Sequence, residues 1–141
     1  MYDNIVKTPD EAICHLFLHC CMKDGNLNDA EIDNLADKFV ALNMHRDLNF
    51  KEQTDHYRSY SATITDETAY LQFLIRKINP VNNLALYSAC IELILSDADL
   101  DLAEDKLLSS IARVLQIDYS EQRTIQKLLI QRRVVETEKI L

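Results

Sequence analysis

A single glycine, Gly25, serves this chain of 141 residues. An average chain of that length carries about ten. Glycine supplies the positive-φ positions of tight turns and bulges and the close backbone approach of phosphate-cradling loops. Its scarcity disfavours Rossmann, P-loop and most β-rich folds, and leaves helices joined by turns of other residues. With 48% hydrophobic and 27% charged residues, the composition is that of an ordinary globular protein. A chain this long hides roughly 68% of its unfolded surface in one core, so one domain over residues 1–141 is expected.

Helix starts are written plainly. Thr8-Pro9-Asp10-Glu11 offers an N-cap, a proline at the first helical position and a glutamate three residues after the cap. Similar capping boxes stand at Asn28 to Glu31, Asn49 to Glu52, Asp101 to Glu104 and Asp118 to Glu121, and Thr65 and Asn79-Pro80 mark two further starts. Seven helices are predicted, over 9–23, 29–43, 50–60, 66–78, 81–96, 102–116 and 119–137, and no strand-like alternation competes with them. The second and sixth are amphipathic, with Ile32, Leu35, Ala36, Phe39, Leu42 and Leu107, Leu108, Ile111, Leu115 as their apolar stripes. The first and fifth are apolar nearly all round, which predicts burial on most sides.

Shifting the chain by 73 positions exposes a repeat. Between 24–43 and 97–116, Asp24/Asp97, Leu27/Leu100, Ala30/Ala103, Glu31/Glu104, Leu35/Leu108 and Leu42/Leu115 are identical, against about one or two such identities by background composition. The expected architecture is therefore all-α. Two pseudo-symmetric hairpins, 9–43 and 81–116, form a central bundle, with the insert 44–80 and the C-terminal helix 119–137 closing its sides.

Each hairpin turns through an acidic string, Asp24-Gly25-Asn26-Leu27-Asn28-Asp29-Ala30-Glu31 and Asp97-Ala98-Asp99-Leu100-Asp101-Leu102-Ala103-Glu104. A buried helix ending in Asp-Gly-x-Leu-x-x-x-Glu and followed by an amphipathic helix, twice in one chain, resembles the TerB-like tellurite-resistance family and the TerB-like domain found beside J-domains. The resemblance covers 9–115. It implies an all-helical cytoplasmic domain without demonstrated catalysis, linked to resistance against tellurite, phage and other stress, whose acidic turn residues bind a divalent metal. The positions that match are Asp24, Gly25 and Glu31 in the first copy and Asp97 and Glu104 in the second. Ala98 departs from the glycine of the motif, and Asn26 and Asn28 stand where acidic ligands are expected.

Read from the residues alone, Asp97, Asp99, Asp101 and Glu104 put four carboxylates within eight positions, the hard oxygen donors that Ca²⁺ or Mg²⁺ prefers over Zn²⁺. The strings are not EF-hand loops: counted from Asp97, the sixth and twelfth positions are Leu102 and Leu108. The same residues also read as helix caps and as acids suited to a helix N-terminus. An alternative metal site is His15, His19 and Glu92. Glu11, His15, His19 and Lys23 recur every four residues on the first helix, and the repeat aligns His19 with Glu92 in the stripe Ser88, Glu92, Ser96. The competing reading makes both stripes the solvent-facing edges of otherwise buried helices.

The charge balance is 15 basic against 23 acidic residues, a net −8, which disfavours a nucleic-acid partner. The longest apolar stretches, 13–22 and 84–95, fall short of the ~20 residues of a membrane span. The first residues lack the basic and apolar regions of a secretion signal. Cys14, Cys20, Cys21 and Cys90 show no C-x-x-C spacing, which predicts buried thiols in a reducing cytoplasm rather than catalysis. Arg123, Lys127, Arg132 and Arg133 rim an apolar stripe of Ile125, Leu128 and Leu129, with Val134, Val135, Ile140 and Leu141 beyond, either a solvated face or a docking surface for an acidic protein partner or a second subunit. The expected function is a non-enzymatic stress-response module, cation-binding through its turns, with a metal-independent interaction domain as the alternative and an enzyme using His15, His19 and Glu92 third.

Overall fold

The structure, a computed structural model, describes residues 1–22, 29–95 and 102–138, with the side chains of 29–31, 137 and 138 outside that description. Helix α1 spans Pro9–Met22, α2 Asp29–Ala41, α3 Phe50–Ser61, α4 Glu67–Ile78, α5 Asn83–Ile94, α6 Leu102–Val114 and α7 Tyr119–Glu138, with short 3₁₀ turns at Tyr2–Asn4 and Met44–Arg46. Among the described residues there is no strand, and the fold is all-α as expected.

Local side chains set the helix starts. Glu11 N donates to Thr8 Oγ1 at 3.1 Å while Thr8 Oγ1 donates to Glu11 Oε1 at 3.2 Å. Glu52 N donates to Asn49 Oδ1 at 3.0 Å, and Glu121 N to Asp118 Oδ1 at 2.9 Å. These bonds satisfy amides that no helical carbonyl reaches. Two helix starts differ from expectation. Asp66, not Thr65, caps α4, accepting from Ala69 N at 3.0 Å. Asn79 does not open α5; it closes α4 in the left-handed region at φ 50°, its N–H bonded to Ile75 O, and Asn82 caps α5 by accepting from Ala85 N at 3.0 Å. Asparagine tolerates that left-handed exit, and Pro80 behind it cannot continue a helix.

The chain divides into two compact units, Met1–Pro80 and Val81–Leu141, and one hairpin of the sequence repeat falls in each. Helices α2 and α6 have the same length and are offset by the same 73 positions that align the sequences. The correspondence extends to backbone conformation: Asn43 and Gln116, 73 apart, both leave their helices in the left-handed region, at φ 60° and 59°. Leu35 and Leu108 are buried, as are Met44 and Ile117 just past the helix ends. Leu42 breaks the match, since it is 52% exposed where Leu115 is buried.

In the first unit α1 is the centre, and α4, α3 and α2 pack on it. Its residues Ala12, Cys14, Leu16, Phe17, Leu18, Cys20, Cys21 and Met22 are all buried, and a fully buried large apolar side chain contributes about 1.5–3 kcal/mol. In the second unit α5 packs against α6 and α7. It buries Tyr87, Cys90, Ile91, Leu93 and Ile94 but leaves Leu84 exposed, so it is less enclosed than the apolar count predicts. No helix among the described residues is long and apolar enough to cross a membrane. Because Asn82 supplies the cap of α5, Asn82→Ala is expected to lower the unfolding free energy by about 1 kcal/mol. Urea denaturation followed by circular dichroism measures it.

Candidate functional site

The polar stripe of α1 does not face solvent. His15 is wholly buried and His19 is 5% exposed, so four ring nitrogens need partners inside the protein. Helices α3 and α4 supply them. His15 Nδ1 lies 2.6 Å from the Tyr60 hydroxyl and His15 Nε2 lies 2.7 Å from Gln53 Oε1. His19 Nδ1 lies 2.8 Å from the Tyr57 hydroxyl, and His19 Nε2 lies 2.9 Å from Glu67 Oε2. The Tyr60 hydroxyl in turn meets that of Tyr70 at 2.6 Å.

The direction of each bond follows from what the groups can do. An amide oxygen only accepts, so His15 Nε2 carries the hydrogen and Nδ1 takes the hydroxyl of Tyr60. Tyr60 then accepts from Tyr70. Turning the Gln53 amide over would reverse all three bonds and leave the Tyr70 hydrogen without an acceptor, because Tyr70 has no second hydrogen-bond partner among the described residues. The first polarity therefore holds. For His19 the Glu67 carboxylate accepts from Nε2–H, and Nδ1 pairs with the Tyr57 hydroxyl.

Aromatic rings enclose the polar chain. His15 stacks on Tyr60 at 5.7 Å, His19 meets Tyr70 edge-on at 5.1 Å, and Tyr2 lays its ring 4.9 Å from Tyr70 and 5.9 Å from Tyr60. Burial holds His15 below the ordinary histidine value, opposed by the Gln53 hydrogen bond and the Glu11 charge and assisted by His56. Burial also pushes the phenols of Tyr57, Tyr60 and Tyr70 well above the usual range. The Cys14 thiol is pushed up to about 12 by burial and by the Glu11 charge. At neutral pH the His15 ring, the three phenols and the Cys14 thiol are therefore uncharged, and the Glu67 side chain, 31% exposed, stands at the edge of the cluster.

The residues expected to bind metal fare differently. Asp24, Asp97, Asp99 and Asp101 lie outside the described residues, as does the side chain of Glu31. Glu104 stands half-buried in the first turn of α6. The alternative set His15, His19 and Glu92 is corrected. Both nitrogens of each histidine are committed to α3 and α4, Glu92 is exposed on α5 in the second unit, and among the described residues no three His, Cys, Asp or Glu side chains form a group that could hold a metal ion. The solvent-edge reading of that stripe fails as well for His15 and His19; Lys23 and Ser96 lie outside the described residues. All four cysteines are buried, as expected. On α7, Arg123, Lys127, Arg132 and Leu128 are exposed and Leu129 is buried, while Ile140 and Leu141 lie outside the described residues.

The partners of the histidines escaped the reading of the sequence, although a signal for them exists. Gln53, Tyr57 and Tyr60 follow the i, i+4, i+7 spacing of one helix face and carry polar tips on long stems, a complement to two histidines four apart. Their energetic role is testable. Tyr60→Phe leaves His15 Nδ1 and the Tyr70 hydroxyl without partners and is expected to cost about 2 kcal/mol; Tyr70→Phe removes one donor and should cost about 1 kcal/mol. The double variant should lose less than the sum, as measured by urea denaturation near neutral pH.

Comparison with known proteins agrees with the all-helical fold. The family model described as "Tellurite resistance protein TerB" matches residues 10–127, which takes in α1 to α6 and the first half of α7. No curated protein and no solved structure matches the chain. The match covers most of the sequence, and the chain belongs to the TerB tellurite-resistance family.

Proposed function

We propose that this chain is a non-enzymatic, cytoplasmic stress-response module of the tellurite-resistance kind, in which a divalent cation neutralises the acidic inter-helix turns and stabilises a face that protein partners read. The observation that carries the reading is the registered recurrence of the turns. One acidic string leads into α2 and the other into α6, helices of equal length at the same offset, each packed on the helix that precedes its string. The donors are Asp97, Asp99, Asp101 and Glu104, joined by Asp24 and Glu31 in the first copy. Their chemistry fits a hard cation, Ca²⁺ or Mg²⁺, better than Zn²⁺. Support for a non-enzymatic role comes from the interior: the buried histidines are saturated with internal partners, and Cys14 remains a neutral thiol.

A second reading has its own observation. Thr8, Asn49 and Asp118 each cap a helix through the amide of a glutamate three residues on, so the same acidic spacing at α2 and α6 serves equally as capping. The chain is then a metal-independent interaction domain, with exposed Leu128 between Lys127 and Arg132 on α7 as a docking face. Titration calorimetry with Ca²⁺, Mg²⁺, Mn²⁺ and Zn²⁺ separates the two. Heat with Ca²⁺ or Mg²⁺ that is lost in a variant carrying Asp97→Asn and Asp99→Asn supports the cation; flat traces for all four ions leave the interaction domain.

A further inference from the structure

His15 is enclosed by groups that accept one protonation state and not the other. We propose that His15 is an acid-sensitive latch that holds α3 and α4 on α1, and that a proton taken up from solvent at Nδ1 loosens this seam within the first unit. In the neutral state each hydrogen in the chain has an acceptor: Tyr70 donates to Tyr60, Tyr60 to His15 Nδ1, and His15 Nε2 to Gln53. A second ring hydrogen turns the Tyr60 contact around. Nδ1–H now donates to the Tyr60 oxygen and Tyr60 donates to Tyr70. The Tyr70 hydrogen is left with no acceptor among the described residues, in a side chain with no solvent exposure. A buried, orphaned hydroxyl beside a buried cation is relieved when the tyrosines reach water, and that requires the helices to part.

The surroundings oppose the charged form on balance. On α1, Glu11 favours the cation, while the Cys14 thiol is neutral. On α3, His56 opposes the cation, and Gln53, Tyr57 and Tyr60 are uncharged neighbours. From α4, Tyr70 acts through Tyr60, and Glu67 is engaged by His19 one turn away. The Tyr2 ring covers Tyr60 and Tyr70 from the N-terminal side. No titratable side chain of α2 among the described residues acts on His15. Desolvation is the largest influence and holds the ring below its ordinary value of 6.5. The unfolded chain therefore binds more protons than the folded one between 6.5 and that lowered value. Stability is fully present above 6.5, falls as pH drops through this window and levels off below it.

Hydrogen exchange on the full chain, corrected for the intrinsic pH dependence of exchange, tests the latch. Amide protection over 50–78 is expected to fall about tenfold per pH unit within the window, more than over 83–114, and the excess should vanish in His15→Gln. Should that variant fail to fold, the wild-type His15 ring followed by NMR serves instead. A midpoint below 6.5, with tyrosine signals of the seam shifting in step, supports the latch. Flat protection over 50–78, equal loss across both segments, an unchanged slope in His15→Gln, or a ring titrating at or above its ordinary value overturns it.

Discussion

Two imidazoles one helical turn apart, on a helix otherwise lined with apolar side chains, impose the demand around which the first unit is organised. A dry ring nitrogen without a partner costs about 1–3 kcal/mol, and His15 and His19 bring four of them into the interior. Apolar burial alone has no direction and would let α3 and α4 slide along α1. The hydrogen bonds have direction: Gln53, Tyr57 and Tyr60 on α3 and Glu67 on α4 meet the rings at 2.6–2.9 Å. One register of the three helices answers all four nitrogens, and a fully satisfied polar chain inside a core favours that single arrangement over its neighbours.

The two halves of the repeat diverge at this same stripe. His15 and His19 on α1 correspond to Ser88 and Glu92 on α5 at the 73-residue offset. The segment 44–80 supplies the partners of the α1 histidines. In the second unit α7 takes the covering role, and its Gln126 Nε2 donates to the buried Tyr87 hydroxyl at 2.8 Å. Glu92 remains exposed and Ser88 half-buried, with Ser88 Oγ returning to its own helix at Leu84 O. The repeated hairpin thus keeps the length of its second helix and its left-handed exits at Asn43 and Gln116, while the polar positions on its first helix follow whatever packs over them.

This division of labour bears on how a TerB-family chain of this kind could act. The paired histidines and the four thiols are turned inward, and the histidines are tied to α3 and α4 by hydrogen bonds. Acidic residues outnumber basic ones, 23 to 15, for a net charge of −8. The proposed role, a module that binds more than it transforms, draws on this distribution.

How much could be read without coordinates depends on the range of the interaction. Helix number, most boundaries and the equivalence of α2 with α6 were legible because a cap is a contact between residues three apart and an apolar stripe is a local period. The sequence by itself thus determined an all-helical chain with two matched hairpins and buried thiols. Only the tertiary structure decided that the His15 and His19 stripe is interior and structural, and that Tyr57, Tyr60 and Tyr70 exist to serve it. A polar stripe every four residues has the same period whether it meets water or another helix. The hydrogen bonds that distinguish the two cases join residues 38 to 48 positions apart, and no local pattern encodes which distant hydroxyl will arrive.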